Sequence, residues 1–239
     1  MKKQKDKNIR IENWSDKTIY QEIKTILRNK DKGRLLDIGC GPGFFLNYIQ
    51  NLEFKSLSGL DKSRRIFILK DKNIDFYEQD LNKLLKIRKK FDIITAIEVI
   101  EHLENPHKFI RDCKKLLKKK GILIISAPNI TSYESRLLFL LTGRFFNFLP
   151  SSIKKSGHTN PISLWEMEEI LKKCNFQIKQ TKGTKIHPFN TKYNPFLNLL
   201  ANLIIIFIPL AMFMGNWGFG HKGKRIKISR HYIIEAVSS

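Results

Sequence analysis

Acidic residues are scarce in this chain: 22 Asp and Glu stand against 44 Lys and Arg in 239 residues, a formal net charge of +22. That imbalance favours anionic partners such as nucleic acid, an anionic membrane surface or a phosphate-bearing molecule. A second reading stays open, because Lys, Ile, Asn and Phe are all abundant, as AT-rich coding produces, and the charge then only decorates solvated faces. Cysteine is rarer still. Cys40, Cys113 and Cys174 lie far apart with no CxxC spacing, which excludes a disulfide framework and a cysteine-ligated zinc site and fits a reducing, cytoplasmic setting. No apolar run follows the basic, polar residues 1–10, so nothing there reads as a secretory signal, and residues 1–17 read as a flexible tail. No internal repeat and no second compositional block occurs, so residues 1–239 read as one α/β domain with insertions.

Hydrophobic periodicity supplies the elements. Ile19, Tyr20, Ile23, Ile26 and Leu27 recur at helical spacing and predict a helix over 18–29. Short apolar runs predict strands at 34–38, 56–60, 74–77, 91–97, 122–126, 176–182 and 231–237. Helices are expected at 44–50 and 63–70. Another should open at Asn105-Pro106, a cap followed by proline at the first helical position, and close at Gly121. A further helix over 163–174 starts with Ser163 and Glu166 in capping-box spacing. Strands alternating with helices imply a doubly wound, seven-stranded, mostly parallel sheet of Rossmann-like kind.

The chemistry gathers where this sheet would change direction. Gly39-Cys40-Gly41-Pro42-Gly43 follows the first strand and precedes a helix. Glycines there let a ligand approach the backbone, and the helix start offers unpaired N–H groups to a carboxylate or phosphate. A glycine turn alone is shared by many nucleotide binders and by plain tight turns. Asp61 ends the next strand, where a carboxylate meets a ribose diol, and Asp80 ends the third. Two acids at consecutive strand ends narrow the reading to a nucleoside-bearing ligand.

Four stretches then match a family: residues 35–43, Gly59-Leu60-Asp61, Gln79-Asp80-Leu81, and Phe91-Asp92-Ile93-Ile94-Thr95-Ala96-Ile97-Glu98-Val99-Ile100-Glu101-His102-Leu103. Together they resemble the class I S-adenosylmethionine (SAM)-dependent methyltransferases, over roughly residues 30–182. The resemblance implies SAM as cofactor and assigns Asp37, Gly39, Gly41, Gly43, Asp61, Asp80, Leu81 and Glu98 to its site. Gly39 and Gly41 would face the methionine portion, Asp61 the ribose, and Asp80 with Leu81 the adenine. Within the superfamily, Glu98-Val99-Ile100-Glu101-His102-Leu103 is similar to the ubiquinone-biosynthesis O-methyltransferases, the MetW-like proteins and the small-RNA 3′-end methyltransferases. The stretch from Ala127-Pro128-Asn129 through Arg144 is most similar to the MetW-like group, whereas the C-terminal insertion resembles none of them.

An alcohol or phenol acceptor must lose a proton, to a general base or with the help of a metal. His102 is the leading base, with a backbone-bonded loop histidine as the bland alternative. If the loop makes a helical turn, Glu98, Glu101 and His102 share one face, a set that suits Mg²⁺ or Mn²⁺. In the RNA 3′-end group and some quinone enzymes these positions resemble metal ligands. The former adds a later histidine, for which His158 is the candidate. No Asn/Asp-Pro-Pro-Tyr/Phe follows the fourth strand, which argues against methylation of DNA bases.

Two apolar insertions follow the fifth and sixth strands and should overhang the carboxyl edge of the sheet. Residues 133–149 read as a lid carrying Leu137, Leu138, Leu140, Leu141, Phe145, Phe146 and Phe148 beside Arg136 and Arg144. Residues 194–220 lie in a stretch, 193–220, without any Asp, Glu, Lys or Arg. The last strand must rejoin the same sheet, so an apolar hairpin is expected there rather than a membrane span. With Lys222, Lys224, Arg225, Lys227 and Arg230 behind it, the hairpin reads as a membrane-interface anchor. A buried lid or a dimer contact is the alternative. The expected activity is O-methylation of an apolar or lipid-linked small molecule by a cytoplasmic protein peripheral to the membrane. Methylation of RNA 3′ ends is the rival, though no aromatic-basic single-strand platform is evident. A non-catalytic, MetW-like partner protein is the other.

Overall fold

The computed structural model describes residues 17–69, 73–184 and 229–239. Seven strands form one sheet in the order β3-β2-β1-β4-β5-β7-β6. They are β1 (Arg34–Ile38), β2 (Ser56–Asp61), β3 (Ile74–Glu78), β4 (Phe91–Ile97), β5 (Leu117–Pro128), β6 (Phe176–Gly183) and β7 (His231–Ser238). The first five run parallel, and β7 is inserted antiparallel between β5 and β6. Chain order reverses between β1 and β4, which opens a crevice at their carboxyl ends.

Alternation along the central strands sends successive side chains to opposite faces, and both faces are buried. Leu36, Ile94 and Ile125 pack with Phe109, Cys113, Met167 and Ile170 of helices α3 (Pro106–Leu116) and α6 (Leu164–Lys173). Leu35, Ile93 and Ile124 pack with Ile19, Ile23, Phe45 and Leu46 of α1 (Lys17–Arg28) and α2 (Phe44–Ile49). Each such side chain contributes about 1.5–3 kcal/mol through burial. One buried charge sits on β7: Glu235 pairs with Lys30 and accepts from Gln180, which ties the loop after α1 to the sheet. Asn105 caps α3 by accepting from Lys108 N at 2.8 Å, and Ser163 caps α6 by accepting from Glu166 N at 3.2 Å.

Two expected elements differ. Only a single 3-10 turn, Arg64–Ile66, forms within 63–70 as far as Leu69. Phe67 and Leu69 instead fold back over the glycine turn, where a Cβ on Gly43 would lie 2.8 and 2.7 Å from their side chains, and Ile68 N donates to Pro42 O. Gly121 does not close α3. That helix stops at Leu116 because Leu117 already pairs with Phe91, and residues 118–121 bulge before Ile122 pairs with Ile93. Gly121 serves the bulge, where a Cβ would come within 2.9 Å of Leu117 Cδ2 and Lys118 O.

The insertion after β5 forms α4 (Tyr133–Thr142) and leads into α5 (Pro150–Ser156). Residues 194–220 and the basic positions 222, 224, 225 and 227 lie outside the described residues. Arg230 does not stand as part of an open basic flank: its Nε and one terminal nitrogen contact the Glu134 carboxylate at 2.9 and 3.0 Å, and it lies over the Phe146 ring. Among the described residues, no helix is long and apolar enough to cross a membrane.

Candidate active site

The glycine turn is built by its neighbours. Gly39 N and Cys40 N donate to Leu60 O at 2.8 and 3.1 Å, which docks the end of β1 on the end of β2. Gly39, Gly41 and Gly43 all have positive φ, at 70°, 50° and 89°. At Gly39 a Cβ would also lie 2.4 Å from Val99 Cγ2, so both conformation and space demand glycine. Asp61 braces the turn by accepting from Gly41 N at 2.8 Å and from Lys62 N at 2.7 Å. A carboxylate has about four acceptor positions, so these bonds leave it able to take a diol as well.

Beneath the turn, Asp37 is fully buried and accepts from Thr95 Oγ1 at 2.7 Å. Burial, opposed by the Thr95 bond and aided by the Asp61 charge, pushes its carboxyl up to about 7. A cavity of about 760 Å³ opens above these groups, a size suited to a small-molecule site. Asp37, Gly39, Gly41, Asp61, Leu81, Glu98, His102 and His158 reach its wall, whereas Gly43, Asp80 and Glu101 do not line it. Gly43 is the residue from which α2 starts. Asp80 turns back on its own loop, accepting from Asn82 N at 3.0 Å. Tyr20, Lys155 and His231 join the wall without having been expected from sequence.

The other side of the cavity holds the titratable cluster. Glu101, His102 and His158 offer ligand atoms that all lie within 4.8 Å of one another. Glu98 is absent from this set, contrary to the four-residue expectation. Its backbone adopts φ 55°, its Oε1 accepts from Ser126 Oγ at 3.2 Å, and its Oε2 meets His231 Nε2 at 3.2 Å. The Glu101 carboxylate is 1% exposed and neither of its oxygens has a hydrogen-bond partner. Burial and the Glu98 charge raise it well above the usual carboxylate range. Burial, then the neighbouring His158, hold His102 below its usual 6.5.

The backbone orients both imidazoles. His102 Nδ1 lies 3.3 Å from Gly157 O and His158 Nδ1 lies 3.0 Å from Asn147 O. A carbonyl only accepts, so each Nδ1 carries the proton and each Nε2 is the basic nitrogen. Thr159 N and Asn160 N donate to Glu101 O at 3.1 and 3.0 Å, which ties the His158 loop to the loop after β4. A buried carboxylate without a partner beside two basic imidazole nitrogens can share a proton or bind a divalent cation.

The chain is similar to known proteins in sequence and in fold. A methyltransferase-domain family matches residues 10–181. The chain is 29% identical over 175 residues to a ubiquinone biosynthesis O-methyltransferase from Glaesserella parasuis, covering 67% of this chain and 72% of that protein. In fold it is similar to an S-adenosylmethionine-dependent methyltransferase from Mesorhizobium loti, with a TM-score of 0.56 at 14% identity over 90% of this chain and 96% of that one. It is also similar to the plantazolicin methyltransferase BamL, solved with a triazolic desmethylPZN analog and SAH (S-adenosylhomocysteine), with a TM-score of 0.61 at 18% identity over 95% and 87% of the two chains. With the glycine turn, the acidic strand ends and the switch-point cavity in place, the chain belongs to the methyltransferase-domain family and is a class I SAM-dependent methyltransferase.

Proposed function

We propose that the chain methylates an oxygen of an apolar or lipid-linked small molecule, a prenylated phenol being the first candidate. The observation that carries this reading is the cluster of His102, His158 and Glu101 beside the same cavity that the glycine turn floors. SAM supplies an activated methyl group, so the protein's work is alignment, exclusion of water and removal of the acceptor's proton. Asp61 and the glycine turn hold the nucleoside end. His102 receives the acceptor's hydroxyl proton at Nε2, and Asn147 O and Gly157 O keep the two imidazoles in the required tautomer. As the alternative to His102 acting as base, Glu101, His102 and His158 would hold Mg²⁺ or Mn²⁺, with His102 Nε2 as a ligand, and the cation would lower the pKa of a bound hydroxyl. Glu98 belongs to the cofactor end instead. The relative's role in ubiquinone biosynthesis supports a phenolic acceptor.

The α4 tip favours an amphipathic acceptor met at a lipid surface. Phe139, Leu140 and Leu141 are 46%, 80% and 70% exposed there, and Arg136, Arg144, Lys154 and Lys155 are exposed on the same insertion and on α5. Apolar residues with a basic rim suit the cytoplasmic face of an anionic bilayer. The test uses methyl-labelled SAM with a prenylated catechol in anionic vesicles, against a short RNA with free 3′ ends. Label in the organic phase, lost in His102→Ala, supports the proposal. Label in RNA alone replaces it with the nucleic-acid reading.

A further inference from the structure

We propose that His231, the first residue of β7, is a positioning residue for the cofactor site. It holds the Glu98 carboxylate at the cofactor end of the cavity and away from Glu101, His102 and His158. The sheet dictates the placement. Antiparallel β7 enters at the carboxyl edge, where His231 pairs with Pro128, two residues beyond Ser126. Glu98 follows β4 on the neighbouring strand end, with Ile97 paired to Ser126. Two adjacent strands thus bring one anchor each to the same carboxylate: Ser126 Oγ to Oε1 and His231 Nε2 to Oε2, both at 3.2 Å.

The backbone of Glu98 argues that these anchors are needed. Its φ of 55° is a left-handed conformation that disfavours any residue with a Cβ. Glu98 N is held by Ser126 O at 3.3 Å and by Ser126 Oγ at 3.2 Å, so the main chain is fixed from β5 and the side chain from β5 and β7. His231 sits on firm support. Arg230 beside it makes the bidentate pair with Glu134, and Asn129 N donates to Arg230 O at 2.7 Å. A carboxylate fixed on a rigid frame offers a pre-placed negative charge. SAM carries a cationic ammonium and a sulfonium, and SAH keeps the ammonium, so such a charge complements both. Without the His231 donor, Oε2 loses its anchor and the carboxylate is held by Ser126 alone, so that charge is less firmly aimed.

The inference rests on SAM binding in this cavity, and calorimetry with SAH separates the two claims. His231→Leu, which removes the donor, should weaken SAH binding about tenfold, the size expected for a hydrogen bond to a charged group. His231→Gln, which keeps an N–H donor at similar reach, should stay within about threefold of wild type by the same scale. His231→Asn is polar but one methylene shorter, and should bind as weakly as the leucine variant, which covers the case where leucine disturbs folding. Adding His231→Leu or His231→Asn to Glu98→Ala should cost nothing further, because both residues act through one contact. Wild-type affinity in His231→Leu or His231→Asn, or additive losses in the double variants, overturns the inference while SAM binding stands. A folded wild-type protein that binds no SAH overturns both.

Discussion

Asp37 gives the protein a pH dependence opposite to that of a salt-bridged carboxylate. Its folded value of about 7 lies above the unfolded 3.8, so the native state holds the extra proton across that interval. The contribution is fully present below 3.8 and is lost as pH rises through 7. Asn imitates the protonated form and can still accept from Thr95 Oγ1. Asp37→Asn should therefore remove this loss, and thermal midpoints of variant and wild type should draw apart as pH rises from 4 to 8. Parallel curves would contradict the assignment. His102 has the reverse sense: burial holds it below 6.5, so the neutral base persists at and above that pH. Methyl transfer should lose rate on the acid side only below 6.5. An acid limb centred above 6.5 would count against His102 as the base. Asp61→Ala removes the acceptor of Gly41 N together with the proposed ribose contact, and SAH affinity should fall by about 1.5–3 kcal/mol.

At the scale of elements, the α4 tip makes the sharpest prediction. Leu140→Asp with Leu141→Asp should abolish sedimentation with anionic vesicles at low salt while SAH binding is unchanged, since neither side chain lines the cavity. Retained sedimentation would shift attention to another surface. Legibility from sequence also divides by element. The bounds of β1 and β4 can be read directly, because short, mostly apolar segments buried on both faces leave no other period to choose. Helix 63–70 could not be read correctly, because the same apolar residues that suggest a helix serve to cover Gly43. Gly121 imitates a helix stop, but the pairing of Leu117 with Phe91 ends the helix earlier, and that contact is distant in sequence. The glycine turn and Asp61 are legible because local spacing encodes them. His231 is not, because its place depends on β7 running antiparallel, which no local pattern announces. The separation of Glu98 from Glu101 and His102 was hidden for the same reason, since Ser126 and His231 draw it aside.

Over the whole molecule, charge is distributed against its own sum. The chain carries +22, yet Asp61 and Glu98 reach the cavity wall, where Lys155 is the lysine or arginine present among the described residues. A cationic cofactor is thereby matched locally, while the basic exterior remains available to an anionic surface. The two functions should respond differently to salt. Vesicle binding should weaken as ionic strength rises, and SAH binding, shielded inside the cavity, should change little. The central claim is that the carboxyl-edge cavity is a SAM site. Calorimetric titration of the wild-type chain with SAH, repeated on Asp61→Ala, tests it most directly. The account predicts one SAH per chain and a clear loss of affinity in the variant, with both proteins equally folded by circular dichroism. A folded wild-type protein that takes up no SAH, or an Asp61→Ala variant that binds it as tightly as wild type, would contradict it.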